Sequence, residues 1–142
     1  MEDNSIIKKL IKYFEKVLTD LKNENVDINC DFLGDDVGSF SLEPIASKPI
    51  VEEYLDGSYL AQFTFCLASR KSYTQDKVQN TLTSEFGDML TKLIKEKNNN
   101  SDLPEIDGIE SIEVTGTPFA YQTGINTARY QLNMRITYYV GG

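Results

Sequence analysis

The chain of 142 residues contains no histidine and no tryptophan, and it has only two cysteines, Cys30 and Cys66. Without histidine the sequence lacks the commonest general base and the commonest metal ligand. Two cysteines without a CxxC spacing do not form a zinc site. We therefore predict no catalytic residue, no metal site and no cofactor. Both cysteines are expected to be buried small hydrophobic residues rather than a disulfide, which is rare in the cytoplasm.

Long hydrophobic runs are also absent. No segment reaches the roughly 18 consecutive apolar residues that a membrane-spanning helix needs. The first residues, Met-Glu-Asp-Asn-Ser, are acidic and lack the basic start of a signal peptide, so we expect the chain to stay in the cytoplasm where it is made. The length predicts one domain, residues 1–142, with a single core.

Basic residues are few: 14 lysines and arginines face 22 acids, which gives a net charge of −8. This balance argues against sequence-independent binding to DNA. The acids are unevenly spread, with eight between Asp27 and Asp56 against Lys48 alone, and five with no base between Asp102 and Glu113. Two interpretations stay open: a solvated acidic rim, or a surface that attracts a basic partner or repels nucleic acid.

The acidic, glycine-bounded segment from Gly34 to Gly38 is not a phosphate-binding loop, because it has no lysine. Asp31, Asp35 and Asp36 offer oxygen ligands for at most a weakly bound cation, since their spacing differs from that of an EF-hand. Glu52 and Glu53 are neighbours in a predicted strand and point to opposite faces, which makes them a poor acid/base pair.

Residues 58–70 form the longest predicted strand. One face is strongly apolar and the other is mixed, which predicts a central strand with a helix on its apolar face. The apolar face consists of Tyr59, Ala61, Phe63, Phe65 and Leu67. Asp56-Gly57 precedes the strand and predicts a hairpin turn with positive φ at both residues.

Two amphipathic helices are predicted, at residues 4–23 and from the segment 72–76 to Lys97. The first has the apolar positions Ile7, Leu10, Ile11, Phe14, Val17, Leu18 and Leu21, with Tyr13 on the outer face. The second has Val78, Leu82, Phe86, Met89, Leu90, Leu93 and Ile94.

Further strands are predicted at residues 26–32, 39–42, 50–55, 109–115 and 128–140, and residues 119–121 are a candidate continuation of the strand at 109–115. The first two of these are expected to form a hairpin. The predicted fold class is α+β: a mainly antiparallel sheet with two amphipathic helices packed on one side, in the order α-β-β-β-β-α-β-β. The tyrosines near strand ends fit either core packing or a protein interface.

Several runs of this sequence resemble the tail-terminator (tail-completion, "minor capsid") proteins of long-tailed phages of Firmicutes and of phage-tail-like bacteriocins. The resemblance covers nearly the whole length. The matching runs are residues 31–44, 48–51, 53–58, 62–65, 68–73, 79–80, 103–104, 128–132 and 137–139.

The resemblance implies a structural virion protein of the head-proximal end of the tail, assembled in the bacterial cytoplasm. Such proteins form a homo-oligomer, a hexameric ring that caps the tail tube protein, stops tube polymerisation and presents a surface to the head–tail connector. In contractile tails the ring also meets the sheath protein. DNA passes through without specific binding, for which an acidic lumen is suited.

A ring subunit needs loops and edge strands for its neighbours, and glycine and proline mark several here. The residues we select for subunit, tube or sheath contacts are Gly34, Asp35, Asp36, Pro44, Lys48, Pro49, Thr117, Pro118, Tyr121 and Ile125. Two alternatives stay open: another neck or head–tail joining protein, and a small cytoplasmic ligand-binding α+β domain.

Overall fold

The computed structural model describes residues 2–22, 28–30, 40–72, 77–116, 119–122 and 127–141, with side chains for 6–21, 28–29, 40–69, 87–116 and 130–141. The described part contains two helices and seven strands. In chain order they are α1 (Glu2–Lys22), β1 (Ile28–Cys30), β2 (Phe40–Ile45), β3 (Ile50–Glu53), β4 (Tyr59–Ser72), α2 (Lys77–Asn99), β5 (Ile109–Val114), β6 (Phe119–Gln122) and β7 (Thr127–Val140).

The two longest strands, β4 and β7, form the centre of the sheet. They pair antiparallel along their whole length, from Tyr59 opposite Val140 to Ser72 opposite Thr127. β2 and β3 follow one another along the outer edge of β4, and β5 and β6 do the same along β7. β1 lies beyond β2. The α+β class, the mainly antiparallel sheet and the predicted order are confirmed, and the candidate continuation at residues 119–121 is the separate short strand β6.

Both helices pack on one face of the sheet. In α1, residues at spacings of three and four are buried, and Phe14 makes an edge contact with Phe65 of β4 at 5.9 Å between ring centroids. The register places Phe65 opposite Met134 and Leu67 opposite Leu132, so the apolar positions of β4 and β7 share this face. The buried core joins the sheet to both helices, and it consists of Ile6, Leu10, Phe14, Val17, Leu18, Ile28, Phe40, Leu42, Phe65, Leu67, Leu90, Ile94, Ile106, Ile112, Leu132, Met134 and Ile136.

The end of α2 adopts a Schellman motif, with Ser101 in the left-handed region at φ 59°. The Asp102 N–H donates to the Lys97 carbonyl at 2.8 Å, and the Ser101 N–H donates to the Asn98 carbonyl at 3.2 Å. The Asn98 side chain then accepts from the Ile112 N–H at 2.9 Å and ties the helix end to β5. Leu90 and Ile94 are buried as predicted, but Met89 is half exposed and does not belong to the buried stripe.

Three local predictions were wrong. β1 and β2 are parallel rather than a hairpin, because alternation defines a strand's faces but not the direction of its partner. Tyr13 is not on the outer face: its ring is half buried against the core and its hydroxyl donates to the Asp102 carbonyl at 2.8 Å. In the turn before β4 only Gly57 has a positive φ, of 90°, whereas Asp56 does not.

Cys66 is a buried free thiol, as expected, whereas the side chain of Cys30 lies outside the described residues. Among the described residues, neither helix has an apolar stretch long enough to cross a membrane.

Candidate functional site

The residues selected from the sequence fall into three groups. Gly34, Asp35, Asp36, Thr117, Pro118 and Ile125 lie outside the described residues. Pro44 is the last residue but one of β2 and lies opposite Phe65, and Lys48 and Pro49 lie in the exposed link to β3. The backbone of Tyr121 lies in β6, opposite Arg129 of β7. The link and β6 therefore occupy opposite edges of the sheet and do not form one surface.

The link between β2 and β3 is held against β4 by three hydrogen bonds. The Gln62 N–H donates to the Pro49 carbonyl at 2.9 Å, and the Gln62 amide donates to the Lys48 carbonyl at 2.6 Å. Thr64 and Ser47 join their hydroxyls at 3.0 Å. The predicted contact loop is thus an exposed but fixed surface, because its backbone follows the edge of the central strand.

The most prominent exposed feature is the turn between β3 and β4, residues 54–58, which we call the hairpin tip. The Gly57 N–H donates to the Tyr54 carbonyl at 3.1 Å, and the Tyr54 N–H donates to the Ser58 carbonyl at 2.9 Å. This pattern, with a left-handed glycine last, is that of a three-residue hairpin loop with a bulge. Leu55 occupies its end and is completely exposed, at 109% relative accessibility.

Asp56 fixes the conformation of the hairpin tip. Its carboxylate accepts hydrogen bonds from the Ser58 hydroxyl and from the Ser58 N–H, the latter at 2.9 Å. These bonds lower the pKa of Asp56, because they stabilise the charged form. Ser58 is buried beneath the turn. The hairpin tip is therefore preorganised, and it presents an apolar side chain to solvent.

Aromatic and acidic side chains continue from the hairpin tip along the sheet. Tyr54 and Tyr139 of β7 are both exposed, and their ring centroids lie 6.2 Å apart. The pKa of the Tyr54 hydroxyl is raised, chiefly by desolvation and to a smaller extent by the charges of Glu52 and Glu110. Val51, at the bulge of β3, is also exposed. Exposed apolar side chains thus concentrate at this end of the sheet, with Glu52 and Glu110 beside Tyr54 and with Lys9 and Asp107 in the cavity next to Tyr139.

A second feature lies on the helical side, between α1 and the end of α2. A cleft of about 370 Å³, which we call the lysine cleft, is lined by Lys9, Lys12, Tyr13, Lys16, Val17, Asp20, Lys97, Asp102, Leu103 and Glu105. The Tyr13 hydrogen bond to Asp102 joins its two walls. Burial and the Asp102 charge raise the pKa of Tyr13, so its hydroxyl remains protonated at neutral pH. The four lysines that line the cleft outnumber the three carboxylates that line it.

Within the part of the chain that the structure describes, no group of three or more cysteine, aspartate or glutamate side chains is placed to hold a metal ion. The hairpin tip and the lysine cleft instead offer what protein contacts need: exposed apolar side chains, fixed backbone and charges of opposite sign.

The sequence predicted the hairpin turn at Asp56-Gly57 but not the exposure of Leu55 at its end, and it did not predict the lysine cleft, although each has a signal. Leu55 is an apolar residue inside a turn of glycine and aspartate, where polar residues dominate. Lys9, Lys12 and Lys16 are spaced by three and four residues and hence share a helix face. The second wall of the cleft is contributed by residues about 90 positions away, which no local pattern reveals.

A scan of the sequence against protein-family models finds no match, and a search of curated proteins finds none either.

Proposed function

We propose that this protein is a structural virion protein, the subunit of a tail-terminator ring. In this role six copies form a ring on the head-proximal end of the tail tube. The ring stops tube polymerisation and offers a surface to the head–tail connector, and in a contractile tail or bacteriocin to the last sheath ring. DNA passes through the ring without specific binding.

One structural observation carries this proposal: the preorganised hairpin tip with Leu55 fully exposed beside exposed Tyr54 and Tyr139. An apolar cluster of this kind, with acids beside it, is typical of a surface that is covered by protein in an assembly. The α+β order agrees with the fold that the resemblance implies, and a net charge of −8 suits a channel from which DNA must slide freely.

Deleting the gene in the producing strain and imaging the particles by electron microscopy tests the role. A terminator predicts tubes of uncontrolled length without attached heads, and a plasmid copy of the wild-type gene restores normal tails. Tails of normal length that fail to join heads would reassign the protein to the connector side of the neck. Intact and infectious, or bactericidal, particles would contradict both roles.

A matched pair of plasmid variants connects the phenotype to the surface. Leu55→Ser removes the exposed side chain at the hairpin tip, and Met89→Ser removes an exposed apolar side chain from α2. We expect the first variant to fail in restoring tail length and the second to succeed. Equal rescue by both would remove the hairpin tip from the proposal.

A further inference from the structure

The hairpin tip is a projecting acidic turn, whereas the lysine cleft is a concavity lined by four lysines and three carboxylates. The hairpin is convex, and residues 50–58 carry Glu52, Glu53 and Asp56 but no base. The cleft is concave and rich in lysine. We propose that the hairpin tip of one copy of this chain docks into the lysine cleft of the next copy, head to tail.

The apolar parts of the two surfaces match. Leu55 projects fully from the end of the hairpin, while Val17, Leu103 and the ring of Tyr13 provide an apolar floor in the cleft. Lysine side chains cover such a floor with their methylene stems and keep their ammonium groups at the rim. Leu55 thereby gains an apolar environment, and the acids beside it come within reach of the lysines.

The charges of the cleft are available for a partner. Lys97 is engaged with Asp102, at 2.9 Å. Lys9, Lys12 and Lys16 are exposed, and they form no ion pair with any carboxylate among the described residues. These three lysines form a stripe on α1. The hairpin tip of a neighbour carries acids and no base, so the lysines meet only opposite charge when it enters.

Edge-strand pairing is a poorer route to association for this fold. The outer strands of the described sheet have at most six residues, and β3 and β5 each contain a bulge, at Val51 and Glu110. Short, bulged edge strands are a common protection against sheet extension. Contact through side chains at the hairpin tip and the cleft avoids this obstacle.

Docking of two different surfaces is heterologous, so it produces a ring where the rotation closes and a filament where it does not. The inference rests on the proposed function in that a terminator ring needs such an interface between its copies. It adds the two surfaces that meet and the chemistry that joins them.

Single-surface variants of the full chain test the contact by sedimentation velocity over a wide concentration range. We expect the wild-type chain to associate. Leu55→Ser, and separately the double change Lys12→Glu with Lys16→Glu, should each weaken association by at least about tenfold. Met89→Ser and Lys8→Glu are the controls, because both residues are exposed and neither lines the cleft. Circular dichroism verifies that every variant is folded.

Mixing the two defective variants gives the sharpest result. The Leu55→Ser variant retains an intact cleft, and the variant with Lys12→Glu and Lys16→Glu retains an intact hairpin tip. One intact interface can therefore form between the two variants. At concentrations where the wild-type chain associates but the weakened contact does not form, each variant alone should be monomeric, and the mixture should stop at a 1:1 dimer. Reversing Glu52 and Glu53 to lysine within the lysine variant should restore self-association by exchanging the charges.

Three results would overturn the inference: a wild-type chain that stays monomeric at every concentration, unchanged association of the Leu55 variant, or a mixture that does not dimerise. A cleft that binds inorganic phosphate while the chain stays monomeric would assign the lysines to a small anion instead. The deletion strain separates this inference from the proposed function. Normal tails together with head-to-tail dimers in the mixture would refute the terminator role and leave the interface standing.

Discussion

Gly108 lies where the start of β5 meets the end of β7. Replacing it with alanine tests how closely its backbone approaches that of Tyr139. Its φ is +75°, and its carbonyl accepts from the Tyr139 N–H at 2.8 Å. A methyl group added in Gly108→Ala would overlap the Tyr139 carbonyl oxygen and lie 3.2 Å from the carbonyl carbon. These neighbours are backbone atoms, so the conflict is relieved only by moving one strand.

The expected loss of stability has two parts. A residue with Cβ in the left-handed region costs about 1–2 kcal/mol. The hydrogen bond to Tyr139, lost when the strands separate, contributes about 0.5–1.5 kcal/mol. We therefore expect Gly108→Ala to lower the free energy of unfolding by about 1.5–3.5 kcal/mol, a large part of the roughly 5–15 kcal/mol typical of a domain.

Urea denaturation followed by circular dichroism measures this change, and Gly116→Ala is the matched control. The added methyl at Gly116 meets nothing within 4 Å, and Gly116 is not among the glycines with a positive φ. Its free energy of unfolding should stay within about 0.5 kcal/mol of the wild type or rise slightly. Equal effects of both changes would refute the close approach of Gly108 to β7.

Three further predictions concern the core, the end of α2 and the turn. Phe14→Ala, which empties a fully buried site against Phe65, should reduce the free energy of unfolding by about 3–5 kcal/mol in the same assay, and Phe14→Leu by less. Ser101→Gly should raise it by about 1 kcal/mol, because glycine adopts the left-handed cap without the Cβ penalty. NMR titration should find the pKa of Asp56 below its usual 3.8, and Ser58→Ala should return it toward that value. Since folding lowers this pKa, the carboxylate stabilises the turn at neutral pH, and that contribution is lost as the pH falls from 3.8 through the folded-state pKa.

The central part of the fold was predictable because its signal is local and repeated. In β4 the alternation from Tyr59 to Leu67 identifies the strand, its apolar face and its central place, all of which the structure confirms. The apolar spacing of α1 likewise predicts its buried face. Each of these patterns extends over many residues, so that one exception does not change the prediction.

The missed features depend on contacts between distant parts of the chain. β1 runs parallel to β2, and its first residue is held at α1, where the Glu15 carboxylate accepts from the Ile28 N–H at 3.0 Å; alternation contains no information on either contact. The helix position of Tyr13 is off the apolar stripe, so the pattern predicts the outer face of α1. In the structure the segment after α2 folds over Tyr13. Met89 follows the helical spacing, yet no part of the described chain covers it completely.

In the head-to-tail docking that we propose, the charge distribution would let a chain with a net charge of −8 associate with itself in one orientation. Copies that approach at random repel one another, and this repulsion is screened beyond about 8 Å at physiological ionic strength. At shorter distances the local charges decide whether two copies attract or repel one another. The stripe of three lysines on α1 is a site that attracts acids. The hairpin tip combines acids with an apolar end, so correct docking joins attraction with burial, whereas hairpin-to-hairpin contact opposes like charges. In the proposed docking the excess of acid would therefore select against wrong orientations, while Leu55 and the lysine cleft would stabilise the head-to-tail one.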